Sequence, residues 1–185
     1  MIVLASQSPR RAELLRNAGI EFRVQPSNVP EQRLPSETAL DYVQRLAGDK
    51  AAAVARKLSG ELVLGADTVV VLEQRVLEKP RDAQEATEML RSLSGRTHQV
   101  MTGVCLLNGA RQDVRAEVTE VRFTPISEEE IASYVAGGEP MDRAGAYAIQ
   151  GIASRWIAGI TGCYFNVVGL PVPLVYRMLR ENGAL

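Results

Sequence analysis

Residues 62–72 read LVLGADTVVVL, an apolar run rich in β-branched side chains with a single carboxylate, Asp67, near its centre. A continuous apolar run predicts a buried strand, and we expect residues 65–68 to interrupt it. An unpaired charge inside such a run is too costly to keep unless a cation, a metal or several hydrogen bonds compensate it. Asp67 is therefore a candidate catalytic or metal-binding carboxylate. A structural aspartate that caps a turn after Gly65 is the alternative.

A second short apolar run, residues 2–5, predicts a strand that leads into a helix. Ser8 is a typical N-cap and Pro9 suits the first helical position, so we expect a helix that closes near Gly19. The Ser8-Pro9-Arg10-Arg11 segment places hydroxyl and guanidinium groups where free backbone N–H groups and the helix dipole favour an anion. The segment predicts one half of a phosphate-binding site. A serine cap followed by solvated arginines is the commoner explanation of the motif alone.

Two lysines are candidate cations for a phosphate. A long helix is predicted from Ser36 to about Leu58, and Lys50 falls on its apolar stripe, where a lysine does not serve packing. Lys79 is restrained by the following Pro80. The alternative is that each lysine packs its aliphatic stem on the core and keeps its ammonium group in water. The stripe consists of Leu40, Val43, Ala47, Val54 and Leu58.

The rest of the chain mixes helix and strand patterns without a repeat or a low-complexity linker. Asn108-Gly109 predicts a hairpin turn between long strands over residues 97–107 and 111–123. We therefore predict a single α/β domain with a mixed sheet over residues 1–185. Asp82 with Glu85 predicts a capping box at the start of a helix that ends near Gly95, and Ser127 with Glu130 predicts the start of another. A final helix is predicted to begin near Pro171 or Pro173 and to run to Glu181.

The composition argues against several classes of protein. Lys and Arg number 21 against 22 Asp and Glu, and a net charge of −1 gives no electrostatic footprint for a nucleic-acid partner. No segment approaches 18 uncharged apolar residues and the N-terminus has no secretory pattern, so we expect a cytoplasmic protein without membrane contact. No Walker A motif occurs, and no GxGxxG follows a strand. P-loop and Rossmann folds are therefore disfavoured.

Cysteine and histidine are too scarce for most metal and triad chemistry. Cys105 and Cys163 have no CxxC spacing, and we expect buried apolar thiols. His98 is the only histidine and is expected to be a satisfied structural residue. Hard-cation chemistry remains, with Mg²⁺ or Mn²⁺ bridging protein oxygens and substrate phosphates.

The segment DRAGAYAIQG, residues 142–151, combines glycines that permit close approach with the amide of Gln150. An amide carries a donor and an acceptor together, so Gln150 can read the edge of a nucleotide base. A plain surface loop is the alternative.

Together these segments resemble the Maf family of nucleoside triphosphate pyrophosphatases over nearly the whole chain. Five segments match in order, which is far more specific than any one of them. They are LASQSPRRAELL (4–15), RLAGDKA (45–51), LVLGADTVVVL (62–72), LEKPRDAQEATEMLRSLSGRTHQVMTGV (77–104) and DRAGAYAIQG (142–151), with VVGLPV (167–172) near the C-terminus.

The resemblance implies hydrolysis between the α- and β-phosphates of a nucleoside triphosphate, giving a monophosphate and pyrophosphate, with Mg²⁺ or Mn²⁺ as cofactor. It implies an ITPase-like fold of two lobes around a twisted mixed sheet with a central cleft, and a homodimer. The family's catalytic acid falls on Asp67, as proton acceptor or metal ligand. Phosphate contacts fall on Ser8, Arg10, Lys50 and Lys79, and specificity positions on Arg11, Thr68 and Gln150.

One departure from the family concerns the metal. The family often has an Asp-Glu pair after the second strand, where this chain has Pro30-Glu31. Glu31 keeps a metal-binding carboxylate, and the missing aspartate alters the rest of the shell. Arg11, Thr68 and Gln150 together resemble the subgroup that acts on dTTP and UTP. The alternatives are hydrolysis of 7-methylguanosine or modified pyrimidine triphosphates, and a non-catalytic regulator of septum formation.

Overall fold

A computed structural model describes residues 1–58 and 60–185. The chain forms two compact units, the first from Met1–Thr68, Thr102–Glu117 and Gly169–Leu185, the second from Val69–Met101 and Val118–Val168. The strands among the described residues are β1 (Ile2–Leu4), β2 (Phe22–Val24), β3 (Val63–Leu72), β4 (Arg75–Leu77), β5 (Thr97–Asn108), β6 (Arg111–Phe123) and β7 (Ile157–Thr161). The helices are α1 (Pro9–Asn17), α2 (Ala39–Ala55), α3 (Ala83–Leu93), α4 (Glu128–Ala136), α5 (Tyr164–Val168) and α6 (Val172–Glu181).

The strands pair in the order β2-β1-β3-β5-β6-β7, and β4 pairs with β3. β1 runs parallel to both β2 and β3, with Val3 opposite Arg23 and Val63. β4 and β7 run antiparallel to β3 and β6. The sheet is therefore mixed, and the predicted α/β class is confirmed. The single domain over residues 1–185 stays a prediction.

The start of the first unit follows its sequence signals. α1 begins at Pro9 with Ser8 as N-cap, and the chain turns after it at Gly19, whose φ of 68° suits glycine. The predicted helix boundaries at this end are thus confirmed.

Helix α2 is shorter than predicted. Thr38, not Ser36, is its N-cap, and the Thr38 hydroxyl accepts a hydrogen bond from the Asp41 N–H at 3.1 Å. Ser36 has a φ of 64°, whereas an N-cap residue needs extended backbone. Leu40 is exposed, and Leu58 lies beyond the helix end, so both leave the predicted apolar stripe.

Strand β3 is continuous, and the predicted interruption at residues 65–68 was wrong. Gly65 serves close packing instead of a turn, because a Cβ there would lie 2.1 Å from the Ala47 carbonyl oxygen of α2. Gly103 on β5 has the same role, with a Cβ placed 2.1 Å from the Val43 carbonyl oxygen. Helix α2 thus lies directly on the backbone of β3 and β5, where a larger side chain would clash.

The second unit packs an aromatic and aliphatic core that includes Phe123, Tyr134 and Trp156. α4 has the predicted capping box between Ser127 and Glu130. α3 has only half of its predicted box, because the Asp82 carboxylate caps Glu85 N–H whereas the Glu85 carboxylate accepts from Arg81 N–H. Strand β7, helix α5 and three 3₁₀ turns, at Glu139–Asp142, Ala144–Ala146 and Ile152–Trp156, were not predicted.

His98 is only half satisfied, contrary to the sequence expectation. Its Nε2 lies 2.8 Å from the Tyr147 hydroxyl, and its ring packs edge-on against Phe123. Its Nδ1 is buried and has no hydrogen-bond partner in the described part of the chain. Burial lowers the pKa of His98 to about 4, so the ring is neutral at physiological pH.

Both cysteines are free thiols, and burial raises the pKa of Cys105. Cys163 is partly exposed, so the expectation of a buried thiol holds for Cys105 alone. Across residues 1–58 and 60–185, no helix has the length and apolar composition that crossing a membrane requires.

Candidate active site

The buried Asp67 carboxylate is bonded to Lys50. Asp67 lies on β3 with 6% of its surface exposed, and Lys50 on α2 has 7% exposed. Lys50 Nζ is 2.6 Å from Asp67 Oδ1 and 2.5 Å from Glu31 Oε1. Glu31 lies between β2 and α2, and its side chain is half exposed. One ammonium group thus joins a buried carboxylate and a surface carboxylate.

The environment of Asp67 changes its acidity. Burial raises the pKa of Asp67, and the charges of Lys50 and Arg11 and the Lys50 hydrogen bond act in the opposite direction. A raised pKa makes the carboxylate a stronger base than an ordinary aspartate. The neighbouring ammonium favours the ionised form, so burial and the ion pair act on this carboxyl in opposite directions.

Arg11 is a buried residue that ties together the backbone around Asp67. Its Nη1 donates to the Ala66 carbonyl at 2.8 Å and its Nη2 to the Thr68 hydroxyl at 3.0 Å, so it binds both chain neighbours of Asp67. Its Nε donates to the Gly169 carbonyl at 2.8 Å. Burial lowers the pKa of Arg11, and the nearby Asp67 and Glu31 carboxylates act to raise it. Arg11 is therefore not the solvated arginine of the commoner explanation.

Ser8 and Arg10 are half-buried at the start of α1. The Ser8 hydroxyl accepts from the Arg11 N–H at 3.5 Å, a long and weak hydrogen bond. The Ser8 N–H donates to the Ser6 hydroxyl, which also accepts from Arg11 Nη1. The helix N-terminus therefore shares one hydrogen-bonded network with Arg11 and Thr68.

Lys79 and Gln150 belong to the second unit. Lys79 Nζ pairs with Asp142 Oδ1 at 2.9 Å, and both side chains are largely exposed. Gln150 is exposed, just before the turn at Gly151. The segment that carries Asp142 is tied to the Lys79 strand end, since Gly145 N–H donates to the Glu78 carbonyl at 3.1 Å.

Of the predicted site residues, the first unit thus brings together Glu31, Lys50, Asp67, Arg11 and Thr68, with Ser8 and Arg10 at the adjoining helix start. Lys79 and Gln150 both lie in the second unit, on separate segments. The partner of Lys79 there is Asp142.

Two further buried polar groups, at Thr102 and Arg143, were not found from sequence. Thr102 on β5 is fully buried, with its hydroxyl 2.9 Å from that of Thr68. The sequence offered only a threonine in the run VMTGV, a residue type that is common in strands. Arg143 buries two guanidinium nitrogens, Nε and Nη1, that have no hydrogen-bond partner among the described residues. Its sequence position after Asp142 gave no sign of this.

The carboxylates of Glu31 and Asp67 could together hold a hard divalent cation. Glu31 and Asp67 meet at one ammonium group, so two carboxylates are already close together. In the described part of the chain, no group of three or more His, Cys, Asp or Glu side chains forms a metal cage. Mg²⁺ is typically bound by one or two carboxylates plus substrate phosphates, and this pair fits that pattern.

Fold and site together define a class: an α/β protein whose buried carboxylate and gathered cations suit a phosphorylated ligand. The chain matches the Maf family, described as Maf-like protein, over residues 1–182. It is 56% identical over 184 residues to the dTTP/UTP pyrophosphatase of Koribacter versatilis, covering 100% of this chain and 95% of that protein. It is 52% identical over 182 residues to the dTTP/UTP pyrophosphatase of Symbiobacterium thermophilum, covering 98% of this chain and 94% of that protein.

Among solved structures, the Staphylococcus aureus Ham1 protein aligns with a TM-score of 0.48 and 14% identity over 66% of this chain and 71% of that chain. The match over nearly every residue, with two relatives above half identity, decides the family. The chain belongs to the Maf family, and the resemblance inferred from its motifs is confirmed.

Proposed function

We propose that this chain is a nucleoside triphosphate pyrophosphatase that converts dTTP and UTP, together with modified pyrimidine triphosphates, to the monophosphate and pyrophosphate. The observation that carries the proposal is the buried Asp67–Lys50 pair, with Arg11 bonded to both chain neighbours of Asp67. The names of the relatives support the activity, since both are dTTP/UTP pyrophosphatases. Family membership and these names agree with the prediction of an enzyme.

Asp67 acts as the proton acceptor. It takes a proton from the water that attacks the α-phosphorus, the bond from the α-phosphorus to the bridging oxygen breaks, and pyrophosphate leaves with that oxygen. Burial supports this role because it raises the pKa of Asp67, and the Lys50 ammonium at 2.6 Å orients the carboxylate. General-base catalysis contributes about 10²–10⁴-fold, and positioning with charge stabilisation supplies most of the remainder.

The cations bind the phosphates. Ser8 and Arg10 offer a hydroxyl and a guanidinium at the N-terminus of α1, where the helix dipole favours an anion. Lys50 adds an ammonium group in the first unit. Lys79, which pairs with Asp142, is the candidate phosphate ligand of the second unit. Arg11, Thr68 and Gln150 select the base.

Glu31 and Asp67 would hold the divalent cation, Mg²⁺ or Mn²⁺. When bound, such a cation neutralises charge on the phosphates and lowers the pKa of a bound water. A homodimer and a cytoplasmic location stay predictions.

A substrate panel tests the proposal. The protein is incubated with dTTP, UTP, dCTP, GTP and 7-methylguanosine triphosphate in the presence of Mg²⁺ or Mn²⁺, and monophosphate and pyrophosphate are quantified. We expect both products, in equal amounts, from dTTP and UTP ahead of the others. Release of orthophosphate instead of pyrophosphate, or no product from any triphosphate, would overturn the proposed function. A clear preference for 7-methylguanosine triphosphate would overturn the substrate assignment alone.

A further inference from the structure

The Thr68 hydroxyl has no free hydrogen-bonding capacity. A hydroxyl donates one hydrogen bond and accepts two. Arg11 Nη2 lies 3.0 Å from Thr68 Oγ1, the Gly169 carbonyl oxygen 3.3 Å and the Thr102 hydroxyl 2.9 Å. The three neighbours therefore fill the three positions that Thr68 offers.

The partners of Thr68 use its single hydrogen within the network. A guanidinium can only donate, so Arg11 occupies one lone pair of Thr68. The Thr68 hydrogen can be accepted by the Gly169 carbonyl at 3.3 Å or by the Thr102 hydroxyl at 2.9 Å, and in the latter bond either hydroxyl can donate. Thr68 thus has no hydrogen left for a substrate unless this arrangement opens.

The same network holds the backbone at Gly169. The Gly169 carbonyl accepts from Arg11 Nε at 2.8 Å as well as from Thr68. Gly169 has a φ of 128°, a conformation that favours glycine. The backbone next to Thr102 packs closely on α2, because Gly103 has no room for a Cβ beside the Val43 carbonyl.

We propose that Thr102 is a positioning residue for substrate selection, which acts through the hydrogen bond between its hydroxyl and that of Thr68. This inference rests on the proposed function. Arg11 and Thr68 then discriminate between bases by the shape of a fixed surface. Thr102 and the Gly169 carbonyl hold that surface in place. Thr68 gives no hydrogen bond to the base.

The test is the selectivity of Thr102→Val, which keeps the shape of the side chain and removes the hydroxyl. The value of kcat/KM for dTTP divided by that for dCTP should fall about tenfold, the equivalent of one lost hydrogen bond. Thr102→Ser, which retains the hydroxyl, should restore the ratio. The kcat for dTTP should change little, because Asp67, Lys50 and Glu31 are untouched.

The control is Thr119→Val, which removes an equally buried hydroxyl from the second unit. It should lower the melting temperature and leave the selectivity ratio unchanged. If Thr102→Val does not fold, the same ratio of kcat/KM values is measured for Thr102→Cys, whose thiol is a weak donor.

A double-mutant cycle shows whether Thr102 works through Thr68. If it does, adding Thr102→Val to Thr68→Val changes the ratio no further. An additive effect, or an unchanged ratio in folded Thr102→Val or Thr102→Cys, overturns this inference while dTTP hydrolysis by the unaltered protein upholds the proposed function. Absence of hydrolysis by the unaltered protein defeats the proposed function instead.

Discussion

Among the single residues of the site, Lys50 pairs with two carboxylates at once. Its ammonium stands between Asp67 and Glu31, one buried and the other half exposed. Without that cation the buried carboxylate would lose its hydrogen-bonded ion pair, and breaking a buried pair by removing one partner is strongly destabilising. The lysine on the apolar stripe of α2 is thus the ion-pair partner that stabilises the buried carboxylate on β3.

Glu31→Gln tests the metal assignment. Removing one of two carboxylates weakens the binding of a divalent cation, so we expect half-maximal activity to need at least about tenfold more Mg²⁺. Activity is titrated with Mg²⁺ at saturating dTTP. Glu13→Gln, on the exposed face of α1, is the matched control and should titrate as the unaltered protein does. Superimposable curves for Glu31→Gln would remove Glu31 from the metal site.

At the scale of elements, the site depends on how closely α2 approaches the sheet. Gly65 and Gly103 leave space for the Ala47 and Val43 carbonyls, so the helix can lie against β3 and β5. This packing sets the height of Lys50 above β3, and Asp67 is two residues along the strand from Gly65.

Gly65→Ala should therefore damage both stability and activity. The added Cβ would lie 2.1 Å from the Ala47 carbonyl oxygen and 2.9 Å from the Ala51 N–H nitrogen, so α2 must shift. Overpacking of this kind costs about 1–3 kcal/mol or more, and we expect kcat to fall with the displaced Lys50. Chemical denaturation and pyrophosphate release measure the two effects.

Gly159→Ala is the control for that substitution. Gly159 also lies in a strand, but a Cβ there meets only the Arg122 guanidinium, at 3.7 Å. Stability and kcat should stay close to those of the unaltered protein. Equal losses in the two variants would mean that any strand glycine is as sensitive, and the close approach of α2 would not be the cause.

The sequence predicted local features where the signal was local. Ser8 and Pro9 mark the start of α1, and the Asn108-Gly109 turn joins β5 and β6. The prediction of an interruption at residues 65–68 was wrong. Gly65 is needed because α2 packs directly against the strand there, and no local sequence pattern reveals that long-range contact. β7 was missed because five residues carry little periodic signal.

For the candidate site, sequence singled out Asp67 and Lys50 because each charge breaks an apolar pattern. Their pairing depends on residues 17 positions apart and was not predictable from either run. Thr102 was missed for another reason: a threonine is common in strands, so its hydroxyl gave no contrast with the run around it.

At the scale of the whole molecule, stability should depend on acid through His98. Its pKa is lowered by burial to about 4, against about 6.5 in the unfolded chain. Between these values the unfolded chain binds a proton that the folded chain does not, so the free energy of unfolding falls as pH drops. The loss reaches about 3 kcal/mol near pH 4.

His98→Gln isolates this contribution. Glutamine stays neutral and can still contact the Tyr147 hydroxyl, whereas the carboxylates titrate alike in both proteins. Urea unfolding at pH 7, 6, 5 and 4 should show a smaller decline for the variant. Parallel declines would show that His98 takes up its proton as readily in the folded protein as in the unfolded one.

If the buried Asp67 is the proton acceptor of a triphosphate pyrophosphatase, Asp67→Asn should fold and lose its activity. The measurement is pyrophosphate release from dTTP with Mg²⁺, beside Asp41→Asn at the exposed start of α2 as control. We predict that Asp67→Asn folds as the unaltered protein does and loses at least about a hundredfold in kcat, while Asp41→Asn keeps its activity. A folded Asp67→Asn protein that releases pyrophosphate at the unaltered rate would contradict the account.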